Sequence, residues 1–458
     1  MTFRSLKNVL QSNRSVTQEV AFSEEKSLCW GQFLSDINTL RITLSALNAQ
    51  DCAVCCEDSY YFCVAFFAVI YADKKIILPG TDQPAMLAEL SQHFDLIIHD
   101  GLVDNSINKQ QVLLPLPPKN NANFTFDALD LMQTTITLFT SGSSGVPKAI
   151  HKSLFMLDAE VTELEALWGG RIAGSKIIST VSHQHIYGLL FRVLWPLCAG
   201  RAFLRHDLVY PEQVIAYADK NCTLISSPAL LKRLPPDEKI AQCMPYCAVF
   251  SSGGPLSLTA AQRSNVLFKQ YPFEVFGSTE TGGIGYRQQF DNSCPWTFFS
   301  GILGQIGDDC CLKLRSPRID PDAWYQTSDQ CELLDNNQFI LKGRVDRIVK
   351  IEEKRISLVD VEQRLNQLQW IDESAVLLLK APQRLSLGAV ITLTEKGEQI
   401  REEIGKGKFW ITLRQALRLW IEPVGIPRQF RVVSEIPVNK QGKRLHSEIL
   451  QLFSHKGE

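Results

Sequence analysis

No stretch of this chain is apolar over enough residues to cross a bilayer. The best apolar run, Tyr60 to Ala72, is bracketed by Asp58 and Asp73, and a helical span needs about 20 residues. The opening MTFRSLKNVLQSNRS lacks both an apolar core and a small-residue cleavage site, so no secretory signal is expected there. Strong net charge is also missing. Lys and Arg number 47 against 49 Asp and Glu, a formal charge of −2, which gives no reason to expect nucleic acid or an acidic membrane as a partner. Cysteine is absent after Cys331, although 13 occur up to that point. An odd count without a signal predicts reduced thiols and a cytoplasmic protein. Cys52-x-x-Cys55 could be half of a redox or zinc site. No second CxxC follows it, and its setting in CAVCC favours buried structural cysteine.

Repeats and low-complexity segments are absent too. With 45% hydrophobic and 21% charged residues, the composition excludes wholesale disorder. At about 100–200 residues per domain, the 458 residues predict two or three folding units. Short β-type runs (DCAVCC, DLIIHD, TITLFT, KIISTV, CTLISS, YCAVFSSG) alternate with longer mixed segments through the first 345 residues. That alternation predicts an α/β fold, with parallel sheets covered by helices. Leu114 to Asn123, rich in Pro and Asn, reads as a connection between two lobes of this region.

The pattern changes near Lys342-Gly-Arg-Val-Asp-Arg347. Ser357 and Asp360 have the spacing of a capping box, and Leu358, Val361, Leu365 and Leu368 recur at helical intervals. SAVLLL and GAVITLT read as strands, and Phe409–Leu419 as a further helix. From Asp346 onward 19 Lys and Arg stand against 15 Asp and Glu, so the basic charge is concentrated here. The expected organisation is a large N-terminal domain of helix-covered β-sheets, 1–345, and a small α+β C-terminal domain, 346–458.

The most informative segment is Thr137-Leu-Phe-Thr-Ser-Gly-Ser-Ser-Gly-Val-Pro-Lys148. An apolar strand runs into small and hydroxylic residues and then a lysine. Small residues let backbone N–H groups approach a phosphate chain, and hydroxyls and an ammonium add donors and charge. The segment does not fit the GxxxxGK[ST] of a Walker A loop. By composition alone it could also be a flexible Ser/Gly surface loop.

Six further motifs follow in order: His185-Ile-Tyr-Gly-Leu189, Ser252-Gly-Gly-Pro-Leu-Ser257, Phe276-Gly-Ser-Thr-Glu280, Trp324-Tyr-Gln-Thr-Ser-Asp329, Gly343-Arg-Val-Asp-Arg-Ile-Val-Lys350 and Pro437-Val-Asn-Lys-Gln-Gly-Lys443. Together with the first, they resemble the signature set of the adenylate-forming superfamily, which includes acyl- and aryl-CoA synthetases and peptide-synthetase adenylation domains. EEKRISLVDVE also resembles the compact synthetases of aryl-polyene-like pathways. The resemblance implies ATP-dependent activation of a carboxylic acid through an acyl-adenylate. A thioester then forms on a phosphopantetheine thiol, carried by CoA or by an acyl carrier protein.

Under this resemblance Thr140, Ser141, Gly142, Ser143, Ser144, Gly145 and Lys148 cradle the β- and γ-phosphates. Ser252, Gly253 and Gly254 lie along the adenine, and Phe276, Gly277 and Ser278 also bind the nucleotide. Thr279 contacts the α-phosphate, and Glu280 holds Mg²⁺, a hard cation suited to carboxylate and phosphate oxygens. Asp329 accepts from the ribose hydroxyls, and Arg344 supports the same ribose or the phosphate. Lys443 is the catalytic lysine bridging carboxylate and α-phosphate. His185, Tyr187 and Gly188 line the acid pocket, although His185 could equally be a satisfied structural histidine; with His183 it would supply too few ligands for a metal site. Asp346 is the hinge about which the mobile C-terminal domain turns between half-reactions.

Three departures stand out: Ser328 replaces the Gly of the TGD element, Glu353 stands where many relatives have Gly, and the region before Thr137 is short. Glu353 bears on the thiol half-reaction. The expectation is an acid–thiol ligase. Its alternatives are an adenylate-forming enzyme with another acceptor, and a degenerate nucleotide-binding sensor or scaffold. The resemblance implies that an enzyme acting on an amino acid would carry an Asp shortly after His185-Ile-Tyr-Gly-Leu189 to pair with the ammonium. His185 to Leu197 contains no acidic residue, which leaves aryl or fatty acids as the expected substrates.

Overall fold

A computed structural model describes residues 2–11, 13–80, 84–101, 107–117, 124–141, 147–235, 243–291, 293–351, 354–381, 384–418, 421, 423–438 and 444–454. The chain divides into two compact units. One comprises Met1–Ile302 with Arg315–Ala323, the other Leu303–Leu314 with Trp324–Glu458.

In the first unit the short apolar runs become strands, as their pattern predicts. One sheet has the order Gln110–Leu113, Leu96–His99, Asp51–Cys55, Lys75–Leu78, Thr135–Ser141, Pro147–Ser153. All neighbours are parallel except the last pair, a hairpin. In the other sheet Phe203–Leu204, Lys176–Ser179, Cys222–Ser226, Ala248–Ser251 and Phe273–Ser278 run parallel. Gly282–Gln288 then turns back antiparallel beside Phe273–Ser278. Leu96–His99 and Ala248–Ser251 are buried along their whole length. Strands covered on both faces need such unbroken apolar runs, which is why these segments do not alternate.

The apolar run at Tyr60–Ala72 forms the helix Ser59–Tyr71, capped by Asp58 accepting from the Tyr60 N–H. Phe62, Phe66 and Phe67 are fully buried, so its hydrophobicity serves the core. Among the described residues, no helix is long and apolar enough to cross a membrane. Cys52 and Cys55 are buried as well, and burial pushes the Cys52 thiol up to about 12, far from the thiolate that redox or zinc chemistry requires.

In the second unit Gln338–Arg344 pairs antiparallel with Asp320–Leu334, and Ile348–Ile351 with Lys354–Ser357. The helix Leu358–Asn366 starts where the sequence places it, with Ser357 Oγ accepting from the Asp360 N–H at 3.2 Å. The expected strands are Ile371–Ala381 and Arg384–Leu393, joined in parallel by Gln429–Val432. The helix Lys406–Leu417 covers this sheet through Phe409, Leu413 and Leu417. Asp346 lies on the turn Val345–Arg347 inside this unit.

A branched ion-pair network ties the unit together. Arg347 donates to both Glu362 oxygens at 2.6 and 3.0 Å, and Arg444 reaches Glu362 and Glu373 at 3.1 Å each. Glu362 is 7% exposed and also accepts from the Val376 N–H at 2.6 Å. Removing this carboxylate takes the counter-charge from Arg347 and leaves Arg444 with Glu373 alone, a cost reduced by the partial exposure of both arginines. Glu362→Ala is expected to destabilise this unit by about 2–3 kcal/mol, between the values for exposed and buried pairs. Denaturant unfolding followed by a probe in the second unit checks this.

Candidate active site

The strand-to-lysine segment forms a hairpin in which Thr140 lies opposite Lys148 and Ser141 opposite Pro147. Gly142, Ser143, Ser144, Gly145 and the side chain of Ser141 lie outside the described residues. Strand alternation sends Lys148, Ile150 and Lys152 to one face of Pro147–Ser153, and Ala149 and His151 to the other. The first face meets a second turn, between Phe273–Ser278 and Gly282–Gln288. Lys148 Nζ stands 3.3 Å from Glu280 Oε1, joining residues 132 apart in sequence. Lys148 is 59% exposed and can leave this pair for a ligand, whereas Lys152 is 2% exposed.

The second turn is built from short hydrogen bonds. Ser278 N–H donates to Thr281 Oγ1 and Thr281 N–H to Ser278 Oγ, both at 3.1 Å. Thr279 and Glu280 are thereby presented at the turn's tip. Burial pushes the Glu280 carboxyl upward. Hydrogen bonds from its own backbone N–H, Lys148 and Ser278 outweigh that and hold it below its ordinary value. An ionised carboxylate with lone pairs left over is a fitting oxygen donor for a hard divalent cation.

The remaining first-unit residues gather at the carboxyl ends of parallel strands, where α/β sheets bind ligands. Ser252, just past Ala248–Ser251, donates through Oγ to the Val275 carbonyl at 2.8 Å, and Gly253 takes φ of +95°. Phe276 packs on Trp296, and Gly277 passes so close to Gly282 that a Cβ would lie 2.2 Å from the Gly282 carbonyl oxygen. A Cβ at Gly80 would lie 2.9 Å from the Phe139 carbonyl oxygen and 3.5 Å from His185 Cε1, so His185 sits beside the end of the hairpin's first strand. Tyr187 packs on Phe191 at 4.8 Å, and Phe191 on Phe250 at 5.4 Å. At Gly188 a Cβ would be 2.1 Å from the Ser182 carbonyl oxygen, so no larger residue fits.

His183 is structural. Its Nε2 donates to the Cys56 carbonyl at 2.8 Å, which leaves Nδ1 to accept from Ser59 Oγ at 2.9 Å. Both nitrogens are committed, and burial keeps the ring neutral.

Asp329 and Arg344 belong to the second unit, directly opposite one another in the strand register, with 3.4 Å between Arg344 Nη1 and Asp329 Oδ1. Asp329 is 8% exposed, and its N–H donates to Thr327 Oγ1. Lys443, Glu353 and the side chain of Asp346 lie outside the described residues. On either side of the Lys443 segment, Val438 bridges Arg444 and the Leu445 N–H donates to the Pro437 carbonyl at 3.0 Å.

Sequence reasoning missed three buried charges around the second turn. Lys152 donates to the Glu280 carbonyl, Glu160 accepts from the Gly283 N–H, and Arg318 donates to the Gly283 carbonyl, at 2.7, 3.0 and 2.7 Å. The available signal was the spacing of Lys148 and Lys152, which puts both on one face of a strand. It also missed the π-helical turn Leu189–Leu194 within the helical stretch after His185. That turn carries the fully buried Arg192, paired with Asp207 and with the carbonyls of Val181 and Arg205.

A family model for AMP-binding enzymes matches residues 75–302. The putative long chain fatty acid–CoA ligase VraA of Staphylococcus haemolyticus is 23% identical, covering 69% of this chain and 69% of its own. The 4-coumarate–CoA ligase of Halorhodospira halophila is 27% identical over 67% of this chain and 74% of its own. In fold, the chain is similar to ATP-bound MatB from Rhodopseudomonas palustris, with a TM-score of 0.80 at 14% identity over 99% of both chains.

Proposed function

From a chain that carries an AMP-binding domain of the adenylate-forming superfamily, we propose an AMP-forming acid–thiol ligase that activates an aromatic carboxylic acid. The acid's carboxylate attacks the α-phosphate of ATP, pyrophosphate leaves, and the acyl group passes from AMP to the thiol of CoA or a carrier protein. The observation that carries this proposal is the meeting of Lys148, near the start of its strand, with Glu280, at the tip of a turn, 3.3 Å apart. A cation free to move onto phosphate, beside a carboxylate able to hold a metal, suits the polyphosphate of ATP and little else.

The reaction joins two anions, so the chain's own groups must neutralise charge and align the reactants. Thr140, Ser141, Ser143, Ser144 and Lys148 take the β- and γ-phosphates, on the backbone of Gly142 and Gly145. Thr279 takes the α-phosphate. Ser252 to Gly254 and Phe276 to Ser278 line the base, and Asp329 with Arg344 takes the ribose. Lys443 carries the charge that develops as carboxylate meets phosphorus. Mg²⁺, held by Glu280, would supply further neutralisation of the phosphate oxygens.

An aromatic acid is favoured by His185 and Tyr187 in apolar surroundings. An amino acid is disfavoured, because no acidic residue occurs from His185 to Leu197 and Asp207 is already paired with Arg192. The names of the relatives divide between an aromatic and a long-chain acid. The test is acid-dependent ATP–pyrophosphate exchange across a panel of acids, followed by thioester formation with CoA and with carrier proteins. Benzoate- or cinnamate-type acids are expected to give higher kcat/KM than octanoate. A panel led by fatty acids overturns the aromatic preference alone. ATP binding without exchange on any acid would instead favour a nucleotide sensor.

The C-terminal domain, starting at Asp346, is proposed to turn between the two half-reactions. Proline holds φ near −65° and would restrict that turn. Asp346→Pro is therefore expected to keep pyrophosphate exchange while thioester release collapses. Full activity in both halves would remove Asp346 as the hinge.

A further inference from the structure

We propose that Lys152 is a positioning residue that fixes the Thr279–Glu280 turn and places its ammonium beneath it. The inference rests on the assignment of that turn to phosphate and metal. Lys148 and Lys152 are four residues apart on one strand and reach the same residue by different routes. Lys148 meets the Glu280 carboxylate at 3.3 Å, while Lys152 Nζ donates to the Glu280 backbone carbonyl at 2.7 Å. A second proton of Lys152 goes to the Arg318 carbonyl at 2.9 Å, so the ammonium is held between two separate segments of the first unit.

The arrangement is expensive unless it serves a purpose, because an ammonium 2% exposed has lost most of its hydration. Two neutral donors could satisfy the same carbonyls. What only the ammonium adds is charge, placed where Glu280 and incoming phosphate oxygens gather. Burial pushes its pKa down, while Glu160 and Glu280 oppose the shift. Glu160 and Arg318 hold the next backbone groups of the same segment, the Gly283 N–H and carbonyl. The turn is thus clamped from below by three buried charged side chains, leaving its tip free for ligand. On ATP binding Lys148 moves from Glu280 to phosphate. Lys152 stays and keeps the Glu280 carboxylate aimed at the metal.

The test compares the full-length protein with K152M, which removes charge and donors, K152Q, which keeps an amide donor, and K152R, which keeps charge. ATP binding is followed by calorimetry across a Mg²⁺ titration, and exchange kinetics are measured beside it. K152M and K152Q are expected to remain folded, to need about tenfold more Mg²⁺ for half-maximal ATP binding, and to lose about 10²-fold in kcat with little change in the KM for the acid. K152R is expected to recover most of both losses and K152Q is not, whereas a merely structural tie would be restored by the amide donor of K152Q as well. A folded K152M or K152Q with wild-type Mg²⁺ dependence and kcat overturns the proposal. Failure of both to fold also overturns it, since Lys152 is then a structural cross-link. If the wild type binds MgATP but exchanges with no acid, the ligase assignment fails while the Mg²⁺ titration still decides the role of Lys152.

Discussion

Replacing Lys443 with alanine is expected to lower acid-dependent pyrophosphate exchange by about 10²-fold or more. The attacking carboxylate and the α-phosphate both carry negative charge, and on the proposed role of Lys443 the barrier rises steeply once its ammonium is lost. Thioester formation from a supplied acyl-adenylate should remain largely intact, because that step needs no new bond between two anions. The substitution should also leave stability unchanged. The neighbouring Arg444 is anchored on Glu362 and Glu373 and bridges Val438. Measuring the two half-reactions separately, with a melting curve beside them, checks each part. Equal loss in both halves would count against this role for Lys443.

A methyl group at Gly277 is expected to be nearly as damaging, for a steric reason. Gly277 lies opposite Gly283, and a Cβ there would stand 2.2 Å from the Gly282 carbonyl oxygen and 3.0 Å from the Gly283 Cα. All these contacts are backbone, so no side chain can rotate away. The strands must separate, and Thr279 and Glu280 move with them. Gly277→Ala should cost about 1–3 kcal/mol in stability as an overpacked site. It should also cost about 10²-fold or more in exchange, because a displacement near 1 Å at reacting groups has that effect. Gly170→Ala, away from the proposed site, is the control, since a Cβ there meets nothing within 4 Å. Wild-type exchange in Gly277→Ala would show that this turn does not carry the reacting groups.

The parts of the site that could be read in advance share a property: their meaning is local. Thr140, Lys148, Ser252 and Glu280 follow apolar runs and stand among small or hydroxylic neighbours. Such a pattern announces a turn at a strand end before any partner is known. The helix start at Ser357 is equally local, because the cap and its acceptor are three residues apart. The Tyr60–Ala72 run was less decisive. Its periodicity cannot separate a buried helix from a strand, and its caps and length settle it as Ser59–Tyr71.

Lys152, Glu160, Arg318 and Arg192 had no such local sign. In sequence they are charges of the kind normally left in water, yet each is at most 5% exposed. Their partners lie beyond any helix or strand period: Lys152 reaches carbonyls 128 and 166 residues away, Glu160 an amide 123 away, Arg318 a carbonyl 35 away, and even Arg192 groups 11 and 15 away. Strand and helix periods are set by the backbone of a few consecutive residues, so the amino-acid order determined the alternating α/β architecture and the chemical types gathered at its turns. Which charges are buried depends on which distant backbone groups are left unpaired when the sheets assemble, since an unpaired polar group in the interior is too costly to leave. That decision is made between elements and belongs to the folded protein alone.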